Sequence, residues 1–180
     1  YEHLQSDPKK VLKANGFHAT FSDINLDGGN VVKLENKAIL TTRVFKDNPE
    51  LDKEELLRLL EAQLEAEIYT IPDITTELTG HSDGQVRFID QNCVLVNELD
   101  GEYKYWRDGF LKMVEEANLK YVEMPSFILK DRKYPHTAVG CYLNFLEIGD
   151  LIVFPIFEIE GNRDDEALSV IRKAFPDRII

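Results

Sequence analysis

Residues 85–126, QVRFIDQNCVLVNELDGEYKYWRDGFLKMVEEANLKYVEMPS, decide how the chain is read. QVRFID and CVLVNE are two short strand-like runs around Asp90-Gln91-Asn92, a turn sequence, so the stretch opens as a β-hairpin. Phe110, Val114 and Ala117 then recur at helical spacing, predicting an amphipathic helix from about Tyr103 to Ala117. KYVEMP closes the unit as a short strand. The whole reads β-β-α-β.

The same order occurs on both sides. Upstream, NVVKLE and AILTTR flank Glu35-Asn36. A helix is expected from Asp52 to Glu67, with Asp52 and Glu55 as its start and Leu56, Leu60 and Leu64 on one face, and EIYTIP follows. Downstream, YLNFLEI and LIVFPI flank Gly149-Asp150. A helix over Asp164–Ala174 turns Ala167, Ile171 and Phe175 inward, and DRII ends the copy. The second strands, counted from Ile39, Val94 and Ile152, lie 55 and 58 residues apart, a period that signals a repeat architecture. The expected modules are 30–73, 85–126 and 141–180 within one domain. Residues 1–29 form the remnant of a preceding module, a short helix ending at Asn15-Gly16 and then a strand. No single copy buries its own faces, so the modules must pack on one another.

Composition narrows the class. With 21 Lys and Arg against 33 Asp and Glu the formal charge is −12, which disfavours nucleic acid and anionic membranes and suits a cationic small ligand. No apolar run is long enough to span a bilayer, the start YEHLQSDPKK lacks a secretory h-region, and Tyr1 suggests a chain cut from something longer. Cys93 and Cys141 each fall in an apolar, strand-like run and read as buried core thiols of a reducing, cytoplasmic compartment.

Polar residues gather where one module hands over to the next. LDGGN (residues 26–30) precedes the first hairpin and GHSDGQVRF (80–88) the second. If the modules circle an axis, these joints converge, and Asp27, His81 and Asp83 meet in space. Taken alone, each joint is also an ordinary turn sequence. Arg87 reads as the partner of a neighbouring acid, His18 and His136 as surface or satisfied residues, and PSFILKDRKYPHTAVG (125–140) as a loop. A metal site of His81, Asp83 and His136 is an alternative without a helical HxxxH or HxxE pattern to support it.

Asp27-Gly-Gly-Asn30, then Gly80-His-Ser-Asp-Gly84 with Arg87-Phe88, then the segment Cys141–Ile180 ending in Phe-Pro-Asp-Arg, resemble the agmatine deiminase and Porphyromonas-type peptidylarginine deiminase family of the guanidine-modifying superfamily. The resemblance runs from about Ile24 to Ile180. It implies an α+β fold of the pentein type, an α/β propeller of five ββαβ modules of which about three are present here. It implies a hydrolase that deiminates agmatine or peptidyl-arginine to a ureido product and ammonia, with no metal or organic cofactor. By motif position, His81 would be the general acid/base, Asp83 would hold the guanidinium, and Asp27 would orient His81, with Asp standing where relatives usually have Glu. Asn30, closing the Gly-Gly-Asn motif, would join Asp83 in binding substrate. The family's nucleophilic Cys, after a Gly-Gly-rich stretch, and its Arg-Asp-x-Gly-Pro carboxylate have no match, so the chain is expected to be inactive alone. A non-catalytic guanidinium-binding module is the competing reading. An incomplete ring would expose strand edges, so the chain is also expected either to form a homodimer or to be completed by another segment.

Overall fold

The computed structural model describes residues 6–129 and 137–180. Strands β1 (Val32–Leu34), β2 (Lys37–Thr41) and β3 (Glu67–Ile71) form one sheet, with β1 antiparallel and β3 parallel to the central β2. Strands β4 (Val86–Asp90), β5 (Cys93–Asn97) and β6 (Lys120–Met124) repeat the same order and directions, with a register shift between Phe88 and Asp90, and β7 (Leu146–Ile148) pairs antiparallel with β8 (Leu151–Val153). Helices α1 (Pro8–Ala14), α2 (Arg43–Asp47), α3 (Lys53–Leu64), α4 (Lys104–Glu116) and α5 (Asp164–Ala174) complete the chain.

The central strands explain why the modules need each other. In β2, Ala38 and Leu40 pack with Leu56 and Leu60 of α3, while Ile39, on the opposite face, packs with Trp106, Phe110 and Met113 of α4. One module further on, Val94 and Val96 of β5 pack on that same α4, and Leu95 faces Tyr142, Phe145 and Ile171 of the third unit. Each central strand is therefore covered on both faces, by its own helix and by the next module, which is why AIL and VLV are continuous apolar runs rather than alternating ones. At the seam, Gly109 of α4 lies against Pro72 after β3; a Cβ there would sit 2.3 Å from the proline Cγ.

Several expectations are corrected. AILTTR does not run as strand to Arg43: β2 stops at Thr41 and α2 begins at once. The helix expected to reach Glu67 ends at Leu64, where Glu65 takes a left-handed φ of 50°. Its start holds, with the Asp52 carboxylate accepting the Glu54 N–H at 2.9 Å. After α1, which buries none of its side chains, the expected strand does not form. DRII contributes only a bridge, Leu151 to Ile179, beside β8. YLNFLEI is strand only from Leu146, so Cys141 lies in a turn and not mid-strand, while Cys93 opens β5; both cysteines are free, and neither residue is fully buried. An apolar run can be buried without strand pairing, as Tyr142, Leu143 and Phe145 are. His136 lies outside the described residues. Among the described residues no helix is long and apolar enough to cross a membrane.

Candidate active site

Both joints sit at the C-terminal end of β2, and Thr41 pins them there. Fully buried, it donates its hydroxyl to the Gly80 carbonyl at 2.7 Å, and its N–H goes to Asn30 Oδ1 at 2.8 Å. Residues Gly28–Asn30 form a single turn of 3-10 helix, whose Gly29 carbonyl accepts the Asp83 N–H at 3.0 Å. Two loops more than 50 residues apart are thus locked backbone to backbone.

The lock brings His81 Nε2 to 3.2 Å from Asp27 Oδ2. A carboxylate only accepts, so in this contact Nε2 is the donor. The imidazole packs against Gly29 at its Nδ1 side: a Cβ at that position would be 2.3 Å from Nδ1. Glycine is required here for close approach, not for a left-handed turn. Asp27 is 71% exposed and His81 24%, so the pair orients the ring and contributes little to stability.

His81 and Asp83 line one cleft of about 390 Å³, together with Glu77, Cys141 and Asn144. Burial, then the charge of Glu102, push the Glu77 carboxyl up to about 7. Burial likewise pushes the Cys141 thiol up to about 11, and its S–H donates to the Gly84 carbonyl at 3.2 Å. That thiol stays protonated near neutrality. On the other side of Asp83 is a cavity of about 280 Å³ bordered by Lys33, Arg87 and Arg178. Arg87 pairs with Glu147 at 3.0 Å and lies 4.4 Å over the Phe145 ring, as an acid-paired structural residue would.

Of the residues singled out in the sequence, Asp27, His81 and Asp83 come together. Asn30 is 2% exposed and its carboxamide oxygen is taken by Thr41, behind the cleft rather than in it. Glu77 and Cys141 were not anticipated as cleft groups, nor Gln85 as a buried amide behind them. Glu77 lies four residues before His81 and Gln85 four after it, within the same joint, and that proximity was the available signal. Among the described residues no group of three or more His, Cys, Asp and Glu is placed to hold a metal ion. The metal alternative would need His136, whose position is not described.

The profile of the Porphyromonas-type peptidyl-arginine deiminases matches residues 1–180. A variant of the C. jejuni agmatine deiminase, solved with substrate bound, superposes with a TM-score of 0.78 at 19% identity, over 99% of this chain and 58% of that one. The agmatine deiminase of Enterococcus faecalis gives 0.75 at 20% identity, over 96% and 56%. No curated protein sequence matches. At such identities the likeness is one of fold, a partial pentein propeller, and the chain spans a little over half the length of the structures it matches. Since the profile extends over every residue that builds the joints, from Asp27-Gly-Gly-Asn30 to Gly80-His-Ser-Asp-Gly84, the chain belongs to the Porphyromonas-type peptidyl-arginine deiminase family.

Proposed function

We propose that this chain supplies the acid/base and guanidinium-holding wall of a deiminase that hydrolyses a guanidino C–N bond. The observation that carries this reading is the His81–Asp27 contact at 3.2 Å, made across 54 residues of sequence and beside Asp83 in a shared cleft. A guanidinium is a planar cation, and a carboxylate matches its donor fork while offsetting its charge. Asp83 takes that role, His81 acts as general acid/base, and Asp27 holds the ring. Asn30 acts behind them, fixing the Gly28–Asn30 turn through Thr41.

In the reaction, a cysteine thiolate adds to the guanidino carbon and His81 protonates the departing nitrogen, so the C–N bond breaks and ammonia leaves. His81 then takes a proton from water, whose oxygen adds to the same carbon. The C–S bond breaks, releasing the ureido product and regenerating the thiolate. Cys141 is unsuited to start this sequence, because burial keeps its thiol protonated. The nucleophile would therefore come from outside this cleft wall, and the chain alone would bind guanidinium without turning it over. The substrate class is a small guanidino cation such as agmatine, or an arginine side chain in a peptide. Two unpaired cysteines suit a reducing, cytoplasmic setting.

The test is ammonia and ureido release from agmatine, free arginine and an arginine peptide, comparing the protein expressed from its full reading frame with this chain. Turnover by the former and binding without turnover by the latter are expected. Silence of both on all three substrates, with guanidinium binding retained, would favour the non-catalytic binding module.

A further inference from the structure

Gln85 opens the second hairpin and is 1% exposed. A buried primary amide has to place its donors and its acceptor. Its Oε1 accepts the Trp106 indole N–H at 2.5 Å. Its Nε2 donates to the His81 carbonyl at 2.8 Å and reaches Glu77 Oε2 at 3.4 Å. Trp106 is itself fully buried and stacked on Phe110, with 5.4 Å between ring centroids, so the far end of this chain of contacts is anchored in α4. One side chain thus ties together a core helix, the backbone of the imidazole-bearing residue and a carboxylate lining the cleft.

We propose that Gln85 is a positioning residue that holds Glu77 as a second anionic group of the guanidinium cleft, beside Asp83. The proposal rests on the guanidinium reading above. A substituted guanidinium presents more N–H donors than one carboxylate can accept, and two carboxylates lining one cleft can share them. Glu77 as a residue is exposed, and its carboxylate meets the buried Gln85 amide at 3.4 Å. The charged and titratable groups acting with it are Glu102, His81, Asp83 and Cys141. Burial and the Glu102 and Asp83 charges favour its neutral form, whereas the Gln85 donor and a charged His81 favour the carboxylate. With its carboxyl at about 7, Glu77 is mostly neutral at pH 6 and mostly ionised at pH 8. Cation affinity should therefore rise with pH across that interval, and binding should release a proton.

The experiment is calorimetric titration of the 180-residue chain with agmatine and with methylguanidinium between pH 5.5 and 8.5, for wild type, Glu77→Gln and Gln85→Met. In wild type the affinity should increase about tenfold from pH 6 to pH 8, following the ionised fraction of one carboxyl. Glu77→Gln should flatten the profile. Gln85→Met removes the donor, so the step should move to higher pH. Carboxyl NMR of wild type gives a readout that needs no buried substitution: the Glu77 carboxyl, the Gln85 side-chain amide and the Trp106 indole N–H should titrate with one midpoint. Absence of binding at every pH would overturn the guanidinium reading and this proposal together. Binding with the same pH profile in wild type and Glu77→Gln would overturn this proposal alone. A step left in place by Gln85→Met, or a Trp106 indole signal blind to the Glu77 midpoint, would remove Gln85 from the assignment.

Discussion

Gly29 is the residue on which the site geometry turns. With a Cβ 2.3 Å from Nδ1, the imidazole of His81 has to rotate away, and the contact with Asp27 is lost. If the protein expressed from its full reading frame is the proposed deiminase, Gly29→Ala in it should lower kcat by about 100-fold or more, the scale of a lost acid/base group, with the melting temperature little changed because the displaced ring is at the cleft edge. Ammonia release and a thermal melt, read together, check this. Unchanged activity would mean that the ring's seat against Gly29 does not matter to the chemistry. His81, Asp83 and Asp27 were legible in the sequence because the Gly-rich joints surround them. Glu77 and Gln85 were not, since nothing in TTELTGHSDGQ says that one side chain reaches back past His81 to another while a tryptophan twenty-one residues on holds it in place. Asn30 was legible as a motif member but not as a buried one: its position behind the cleft depends on Thr41, which the motif does not contain.

Among the elements, α4 and α5 make separate predictions. Gly109 lets α4 approach Pro72, and alanine there would gain helix propensity, about 1 kcal/mol, while forcing a Cβ into a rigid ring. Overpacking against an atom that cannot swing aside should win, so Gly109→Ala should destabilise by about 1–2 kcal/mol and lower the melting temperature by a few degrees. A rise would show that the seam is loose. In α5, Asp164 is 8% exposed. Burial alone would raise its carboxyl, but the Tyr142 hydroxyl at 2.6 Å and the N–H groups of Phe157 and Glu158 outweigh it and hold the carboxyl below its ordinary value. A depressed carboxyl stabilises the fold above the unfolded-state value, about 3.9, and that stability is lost as pH falls through the lower folded value. Acid unfolding of wild type should therefore have a component below about pH 4 that Asp164→Asn lacks, visible in urea melts at pH 3 and pH 6. The helices were readable because their apolar spacing and Asp52 cap are local. Helix α2 was not, because TTRVFKDN continues the strand-like composition of AIL, and only the geometry of the joint calls for a turn there.

For the whole molecule, the 55- and 58-residue spacing carried the architecture: β2 and β5 are doubly covered because α4 is wedged between the first and second sheets and α5 between the second and third. The third sheet departs from the pattern. The β7–β8 register pairs Leu146 with Val153 and Ile148 with Leu151, so four apolar side chains share one face, and all four are exposed, with Ile179 beside them. A face of that kind favours association. Sedimentation of this chain at micromolar concentration should show self-association that Ile148→Lys weakens, and a monomer at all concentrations would count against it. The central claim concerns the chemistry at the joints, and the most direct measurement is the effect of His81→Gln in the full-length protein on both agmatine turnover and agmatine binding. The account predicts that kcat falls by about 100- to 10,000-fold, while the dissociation constant, set by Asp83 and Glu77, moves by less than about fivefold, well under 1.4 kcal/mol. Turnover within a few-fold of wild type would contradict it, because His81 would then be a turn residue and not the acid/base of a deiminase.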